Sequence, residues 1–298
     1  MLPDPVRRWA EAHAPRPIVD ATPVLGGITG TKWILQLGEG DPLVLRWADP
    51  AEWGDVGREH VRREALAAGL LTGTGLPVPR LIAADVDGLI SGAPADLLSW
   101  RPGQTRYDPL GPAALTALAD LAVAVHGQPV PVERRPPAFS FRGPAEPQVP
   151  DWVRWPALWR RAIEIRRVGP TATPSGLLHR DFHFGNILWQ GDAISGLIDW
   201  AEVSWGPPDL DVAHACSDFA MVHSATDAET FRAEYVRRGG RLDPDPDAAA
   251  FWVVSDILGF LPDPAHILPA VTAARPDLTA DSIRRGLEDL LALTLQSW

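Results

Sequence analysis

The stretch 177–200, LLHRDFHFGNILWQGDAISGLIDW, constrains the fold more than any other part of the chain. It sets His179, Asp181, His183, Asn186 and Asp199 in and beside two apolar runs, NILW and SGLID, joined by a turn at QGD. Short apolar runs bounded by turn residues read as strands. A buried hairpin does not normally carry so many ionisable groups, because each costs free energy unless it is partnered. For any one of these residues a hydrogen bond to loop backbone is explanation enough. For the whole set it is not, and the stretch reads as a site.

Two chemistries compete for it. His179, Asp181 and His183 stand at i, i+2 and i+4, one face of a strand, and zinc accepts imidazole and carboxylate. A His/Asp metal-dependent hydrolase would follow, but Asn186 and Asp199 would then have no role. The other chemistry is phosphoryl transfer. H-R-D-x-x-x-x-N is the catalytic-loop pattern in which the Asp orients the attacking hydroxyl and the Asn holds magnesium, with a further metal-binding Asp one hairpin on. Asp199 falls thirteen residues after Asn186, at the end of the second apolar run.

In these residues the chain resembles the phosphotransferase family that includes aminoglycoside phosphotransferases, choline and homoserine kinases, and macrolide kinases, which share a protein-kinase-like fold. HRDFHFGNILW resembles that family's catalytic loop, and GLIDWAEVSWGPPDLDVA its metal-binding strand and following turn. The resemblance covers nearly the whole chain. It implies an α+β, two-lobed protein-kinase-like fold with a β-rich N-terminal lobe and a mainly helical C-terminal lobe. It implies Asp181 as catalytic aspartate, Asn186 and Asp199 as Mg2+ ligands, and ATP or GTP as co-substrate. Asp209 and Asp211 match residues that brace the loop, and an N-cap for the helix beginning VAHAC is an equally good and compatible reading.

A kinase also needs a basic residue on the third strand and a glutamate on the next helix to hold it. PLVLRWA offers Arg46 and VRREALAAG offers Glu64, so an ion pair between strand and helix is expected. The protein-kinase pattern has lysine where this chain has Arg46, although arginine also grips phosphate. That departure keeps a second reading open, a nucleotide-binding regulatory module without turnover. LGGITGTKW resembles the glycine-rich turn over the phosphates but lacks the full G-x-G-x-x-G spacing; Gly27, Thr29 and Gly30 are its candidate backbone donors, and Lys32 either reaches the phosphates or, as the expected alternative, points to solvent. LLSWRPG stands where the family has its inter-lobe hinge, so backbone groups of Leu98, Ser99 and Trp100 are candidates for the adenine edge. His126 reads as a structural helix-end residue, and Trp200 and Trp205 as candidates to line the acceptor cleft.

Elsewhere the periodicities predict a hairpin over 22–48, then a helix in DVGREHVRREALAAGLL and short strands up to a Pro-Gly break. A helix in PAALTALADLAVAVH opens at Pro112 and closes at Gly127. Residues 128–150, rich in proline, read as a long surface loop. A tryptophan-rich helix kinked or started near Pro156 follows it, and beyond residue 207 the chain reads as largely helical. The expected lobes are 1–98, nucleotide-binding, and 99–298, catalytic and acceptor-binding.

Composition narrows the partners. A net charge of −11 argues against nucleic acid and anionic membranes, which reward clustered Lys and Arg. No run approaches 18 apolar residues, and MLPDPVRRWAEAHAPRP lacks the apolar core of a signal peptide, so a cytoplasmic protein is expected. Cys216 is the only cysteine, which excludes an intrachain disulfide. The expected partner is a small molecule with a hydroxyl, amine-bearing acceptors included. Asp218 and Asp256 could meet such an amine, though solvated helix faces explain them equally well.

Overall fold

A computed structural model describes residues 2–24, 31–170 and 175–296. In residues 31–37 Trp33 and Leu35 are buried and separated by a less buried side chain, the two-residue period of a sheet with one covered face. The strands concerned are β1 (Ile18–Val24), β2 (Thr31–Leu37), β3 (Leu43–Trp47), β4 (Leu81–Asp85) and β5 (Ala95–Ser99). They form an antiparallel sheet in the order β1-β2-β3-β5-β4. Its register aligns Lys32 with Arg46 and Arg46 with Asp96, so three charged residues stand in one row across neighbouring strands.

This sheet belongs to the first of two compact units, Met1–Gln104 with Leu188–Gln190 and Ser195–Val203. Helix α1 (Asp4–His13) packs Val6, Trp9 and Ala10 into the cluster formed by Leu35, Leu43, Leu45 and Leu97. Their i, i+3, i+4 spacing is the signal of an amphipathic helix, and it lies outside the elements expected from the sequence. Helix α2 (Pro50–Leu71) follows β3; Asp49 caps it by accepting from Ala51 N–H.

The second unit comprises Thr105–Ile187, Gly191–Ile194 and Ser204–Trp298. Along the rest of the chain the strands are β6 (Gln104–Thr105), β7 (Gly176–Leu178), β8 (Ile187–Gln190), β9 (Ala193–Leu197) and β10 (Ser204–Gly206), with β7 paired to β10 and with Leu188–Gln190 of β8 and Ser195–Leu197 of β9 counted in the first unit. β8 and β9 are the hairpin expected from NILW and SGLID. The helices are α3 (Pro112–His126), α4 (Pro156–Val168), α5 (Asp209–Val222), α6 (Ala225–Arg237), α7 (Pro246–Gly259), α8 (Leu268–Val271) and α9 (Ala280–Gln296). Every residue of α5 is buried, and α6, α7 and α9 pack around it, as a helix apolar on most sides requires. The α+β expectation therefore holds. No helix among the described residues is long and apolar enough to cross a membrane.

Candidate active site

In the second unit the chain leaves β7 at Leu178 and turns sharply. Arg180 takes a φ of 69°, a conformation that a non-glycine residue seldom adopts. Asp211, in the first turn of α5, holds this turn in place. Its two oxygens accept from the backbone N–H groups of His179 and Arg180, each at 2.7 Å. Behind it, His126 Nε2 lies 3.2 Å from Asp211 Oδ2, and His126 Nδ1 lies 2.8 Å from the Tyr235 hydroxyl. Burial would push Asp211 up, but His126, His179 and the bond from the His179 amide keep it below its ordinary range. The N-cap of α5 is Pro208, with no side-chain cap; Asp211 is a brace and not a cap. Asp209 accepts instead from Asp243 N–H at 3.0 Å, and burial raises it to about 6.

Asp181 follows directly. Its Oδ2 accepts from Asn186 Nδ2 at 2.9 Å and lies 3.3 Å from His183 Nε2. Its Oδ1 lies 3.0 Å from Arg142 Nη2 and 3.6 Å from His214 Nε2. Burial alone would raise the Asp181 carboxyl, yet His183, Arg142 and His214 hold it well below the usual carboxylate range. Burial would lower His183, and Asp181 and Asp218 more than reverse this, so its pKa is raised. His183 Nδ1 accepts from Gly185 N–H at 3.1 Å, which fixes Nε2 as the protonated nitrogen facing Asp181. Gly185 is required here: a Cβ on it would lie 2.7 Å from His183 Cε1. The Asn186 Nδ2 group also donates to the Asp181 carbonyl at 2.9 Å; its carbonyl oxygen is the end left to coordinate a cation.

Asp218 and Asp256 are not on solvated helix faces. Both are buried: Asp218 accepts from Phe184 N–H at 2.9 Å, and Asp256 lies 3.1 Å from His214 Nδ1. Arg142 and His214 were missed from sequence. Arg142 sits in a proline-rich loop and His214 inside an apolar helix, and neither setting carries a signal. The zinc reading fails on geometry. His179 is fully buried, its Nδ1 accepts from Asp181 N–H at 3.2 Å and its ring packs edge-on to Phe182, so that nitrogen is committed to the backbone. Among the described residues no group of three or more His, Cys, Asp or Glu could hold a metal.

The first unit holds a second cluster. Arg46 Nη2 donates to Glu64 Oε2 and to Asp199 Oδ1, both at 2.9 Å, and Lys32 Nζ donates to Asp199 Oδ2 at 2.6 Å. Lys32 therefore does not face solvent as expected; the strand register puts it beside Arg46 and onto Asp199. Asp96 Oδ2 lies 3.9 Å from Arg46 Nε, and among the described residues neither Asp96 oxygen has a hydrogen-bond donor. Burial raises Glu64 to about 7 and Asp96 to about 6, against the pull of Arg46. Burial would lower Arg46, but Glu64, Asp96 and Asp199 together hold it well above its ordinary value. Asp199 itself has a φ of 64°, backbone strain of the kind that clusters at functional sites. A magnesium ion in a kinase site takes one or two protein carboxylates and completes its shell with phosphates and water. The donor set fits that ion better than an all-protein metal cage.

Gly27, Thr29 and Gly30 lie outside the described residues. Leu98 is buried in β5, paired with Val44 and Leu81. Ser99 N–H donates to the Arg80 carbonyl and Ser99 Oγ accepts from Arg80 N–H, both at 2.9 Å, so the Ser99 amide is committed to the sheet edge. Trp100, half-buried, follows the end of the strand. Trp200 is buried and donates Nε1–H to the Leu197 carbonyl at 3.1 Å, which removes it from any cleft wall. Trp205 is half-buried and carries the Arg135 guanidinium 4.3 Å above its ring.

Comparison with known proteins agrees with this chemistry. The sequence profile described as the phosphotransferase enzyme family matches residues 20–252. Homoserine kinase of Rhizobium etli is 31% identical over 147 residues, covering 42% of this chain and 41% of that protein. The chain spans between 19 and 56% of the length of the curated relatives it matches. Among solved structures, spectinomycin phosphotransferase in complex with ADP and spectinomycin superposes with a TM-score of 0.63 at 12% identity, over 97% of both chains. A thermostable aminoglycoside phosphotransferase in ternary complex with ADP and hygromycin B gives 0.61 at 16% identity, also over 97% of both. At such identities the likeness is one of fold.

Proposed function

Because the chain belongs to the phosphotransferase enzyme family, we propose that it is a small-molecule kinase, moving the γ-phosphoryl group of ATP or GTP to a hydroxyl of its acceptor. One observation carries the reading: the two oxygens of Asp199 are held by Lys32 and Arg46, side chains suited to phosphate. Arg46 is held by Glu64 in turn, which is the relation the strand lysine has to the helix glutamate in kinases. Arginine at this position therefore supports turnover and does not argue against it.

In this reading Lys32 and Arg46 grip the nucleotide phosphates, and Asp199 and the Asn186 carbonyl oxygen are the magnesium ligands. A bound magnesium ion supplies charge neutralisation at the phosphate oxygens. Gly27, Thr29 and Gly30 are the proposed backbone donors over the phosphates, and Leu98 to Trp100 the adenine edge. Asp181, ionised by its neighbours, orients the acceptor hydroxyl and takes its proton. The acceptor oxygen forms the new bond to the γ-phosphorus as the bond to the bridging oxygen breaks. The electron pair of that bond leaves with the nucleoside diphosphate. A cytoplasmic location, where ATP and GTP are available, is part of the same proposal. The acceptor is read as a small hydroxyl compound because the neighbours of like fold bind such molecules, spectinomycin and hygromycin B among them.

The test is thermal unfolding with ATP, magnesium and both, followed by ADP release against a panel of hydroxyl acceptors. Stabilisation of about 2.7 kcal/mol at a hundredfold excess over Kd, needing nucleotide and magnesium together, is the expected result. Stabilisation by nucleotide with no transfer to any acceptor would favour a binding module instead.

A further inference from the structure

Helix α5 meets the catalytic turn with one face. Asp211, His214 and Asp218 stand at i, i+3 and i+7, which brings their side chains to the same side of the helix. Asp211 accepts from the His179 and Arg180 amides and Asp218 from the Phe184 amide, so these two hold backbone. His214 lies between them and touches side chains instead. Its Nδ1 is 3.1 Å from Asp256 Oδ1 on α7, and its Nε2 is 3.6 Å from Asp181 Oδ1 and 3.5 Å from Arg142 Nη1. The Phe260 ring lies parallel to the imidazole, with 6° between planes and 5.7 Å between centroids, and holds its plane.

The hydrogens on this ring follow from its partners. Burial would raise the Asp256 carboxyl, but His214 and Arg142 keep it below its ordinary range, so Asp256 accepts and His214 Nδ1 carries the hydrogen. A guanidinium only donates, so Arg142 Nη1 meets a lone pair at Nε2. An imidazole with Nδ1–H on a carboxylate and a bare Nε2 is arranged as a base. The other side chains on the Asp181 carboxylate are not. Arg142 has no lone pair, Asn186 presents an amide N–H, and His183 Nδ1 is taken by Gly185 N–H.

Resting on the kinase reading above, we propose that His214, backed by Asp256, receives the proton that Asp181 takes from the acceptor hydroxyl. The acceptor O–H bond breaks as its oxygen bonds the γ-phosphorus, and the proton passes over Asp181 Oδ1 to the lone pair of His214 Nε2. The imidazolium so formed lies between the carboxylates of Asp181 and Asp256 and gives its proton to water as product leaves. The need arises from Asp181 itself. A carboxylate held well below the usual range keeps a proton poorly, whereas imidazole is the side chain that exchanges one near neutral pH. The 3.6 Å between Nε2 and Oδ1 is longer than a hydrogen bond; catalytic contacts of this kind tighten when substrate binds. His214 acts through Asp181 and is a positioning residue, not a group that meets the acceptor.

The groups that face His214 are Arg142 from the proline-rich loop, Asp181 and His183 from the catalytic turn, Asp218 on α5, Asp256 from α7, and His266 behind Phe260. Two measurements together test the proposal. Nitrogen NMR of the imidazole rings, with His214 assigned by the signals lost in His214→Gln, is expected to find Nδ1 protonated and Nε2 bare at pH 8. Asp256→Asn is expected to shift that hydrogen toward Nε2. Single-turnover transfer from ATP in magnesium, with water, glycerol, ribose and ethanolamine as acceptor probes, is expected to slow on the acid side. The midpoint of that limb should be the midpoint of His214 in the NMR titration, which separates it from His183 and His266. His214→Gln is expected to bind MgATP as wild type does, to transfer about 10²-fold more slowly and to lose the acid limb. Should it fail to fold, Asp256→Asn keeps the side-chain shape and is expected to slow transfer and move the limb. An Nε2 protonated at pH 8 overturns the proposal. So does an acid limb that survives the substitutions, even where stability or nucleotide affinity falls, and either result leaves the kinase reading standing. No transfer from wild type to any probe at any pH counts against that reading and takes the proton step with it.

Discussion

Asp199 is held in a left-handed backbone conformation, φ 64°, with Lys32 and Arg46 on its two oxygens. Asparagine keeps both the shape of this side chain and its tolerance of the left-handed region, so Asp199→Asn isolates the charge. The substitution is expected to lower ATP affinity in magnesium by at least about tenfold and to remove the difference between titrations with and without the ion. Asn186→Ala, which loses a dipole and not a charge, is expected to lose less. Calorimetry giving equal magnesium-dependent affinities for wild type and Asp199→Asn would refute the metal assignment. At this scale Asp181, Asn186 and Asp199 were legible because the motif is local. Lys32 was misread because its place depends on strand register, and Arg142 was invisible because a loop arginine among prolines carries no period.

The row Lys32, Arg46, Asp96 across β2, β3 and β5, closed by Glu64 from α2, behaves as one element. An ion pair in contact with solvent would leave the melting temperature nearly unchanged on loss of Glu64. Arg46 and Glu64 are instead buried, so Glu64→Ala is expected to cost about 1–3 kcal/mol in urea unfolding, because the buried guanidinium loses one hydrogen-bonded partner while keeping Asp199 and Asp96. The same burial fixes a pH dependence. Asp96 is raised to about 6 and Glu64 to about 7, so the folded chain binds these protons more tightly than the unfolded one. Their contribution is fully present below the unfolded carboxylate range and is lost as pH rises through 6 and 7. Asp181, Asp211 and Asp256 are lowered and act oppositely, losing their contribution only as pH falls below that range. Between pH 5 and 7, Asp96→Asn should gain on wild type by about 1 kcal/mol, read from unfolding midpoints at both pH values. A difference that does not change with pH would contradict the buried-charge account.

Across the whole molecule, strand and helix periods in the sequence led to the α+β class, and Pro112, Gly127 and Pro156 marked helix ends where α3 and α4 have them. Two features escaped. α1 was overlooked because its apolar face is only Val6, Trp9 and Ala10. The first compact unit is assembled from separated parts of the chain, with Ser195–Val203 joining residues before Gln104, and no local composition signals such a return. In consequence Asp199 and Asp181, eighteen residues apart in sequence, belong to different units. The central claim is that Asp181 acts on the acceptor in the transition state and not on the nucleotide. Its most direct test pairs MgATP affinity with single-turnover phosphoryl transfer in wild type and Asp181→Asn. The account predicts an unchanged fold and an affinity close to wild type, with transfer slowed by about 10²–10⁴, the scale of a lost general base. Equal transfer rates in the two proteins would contradict it.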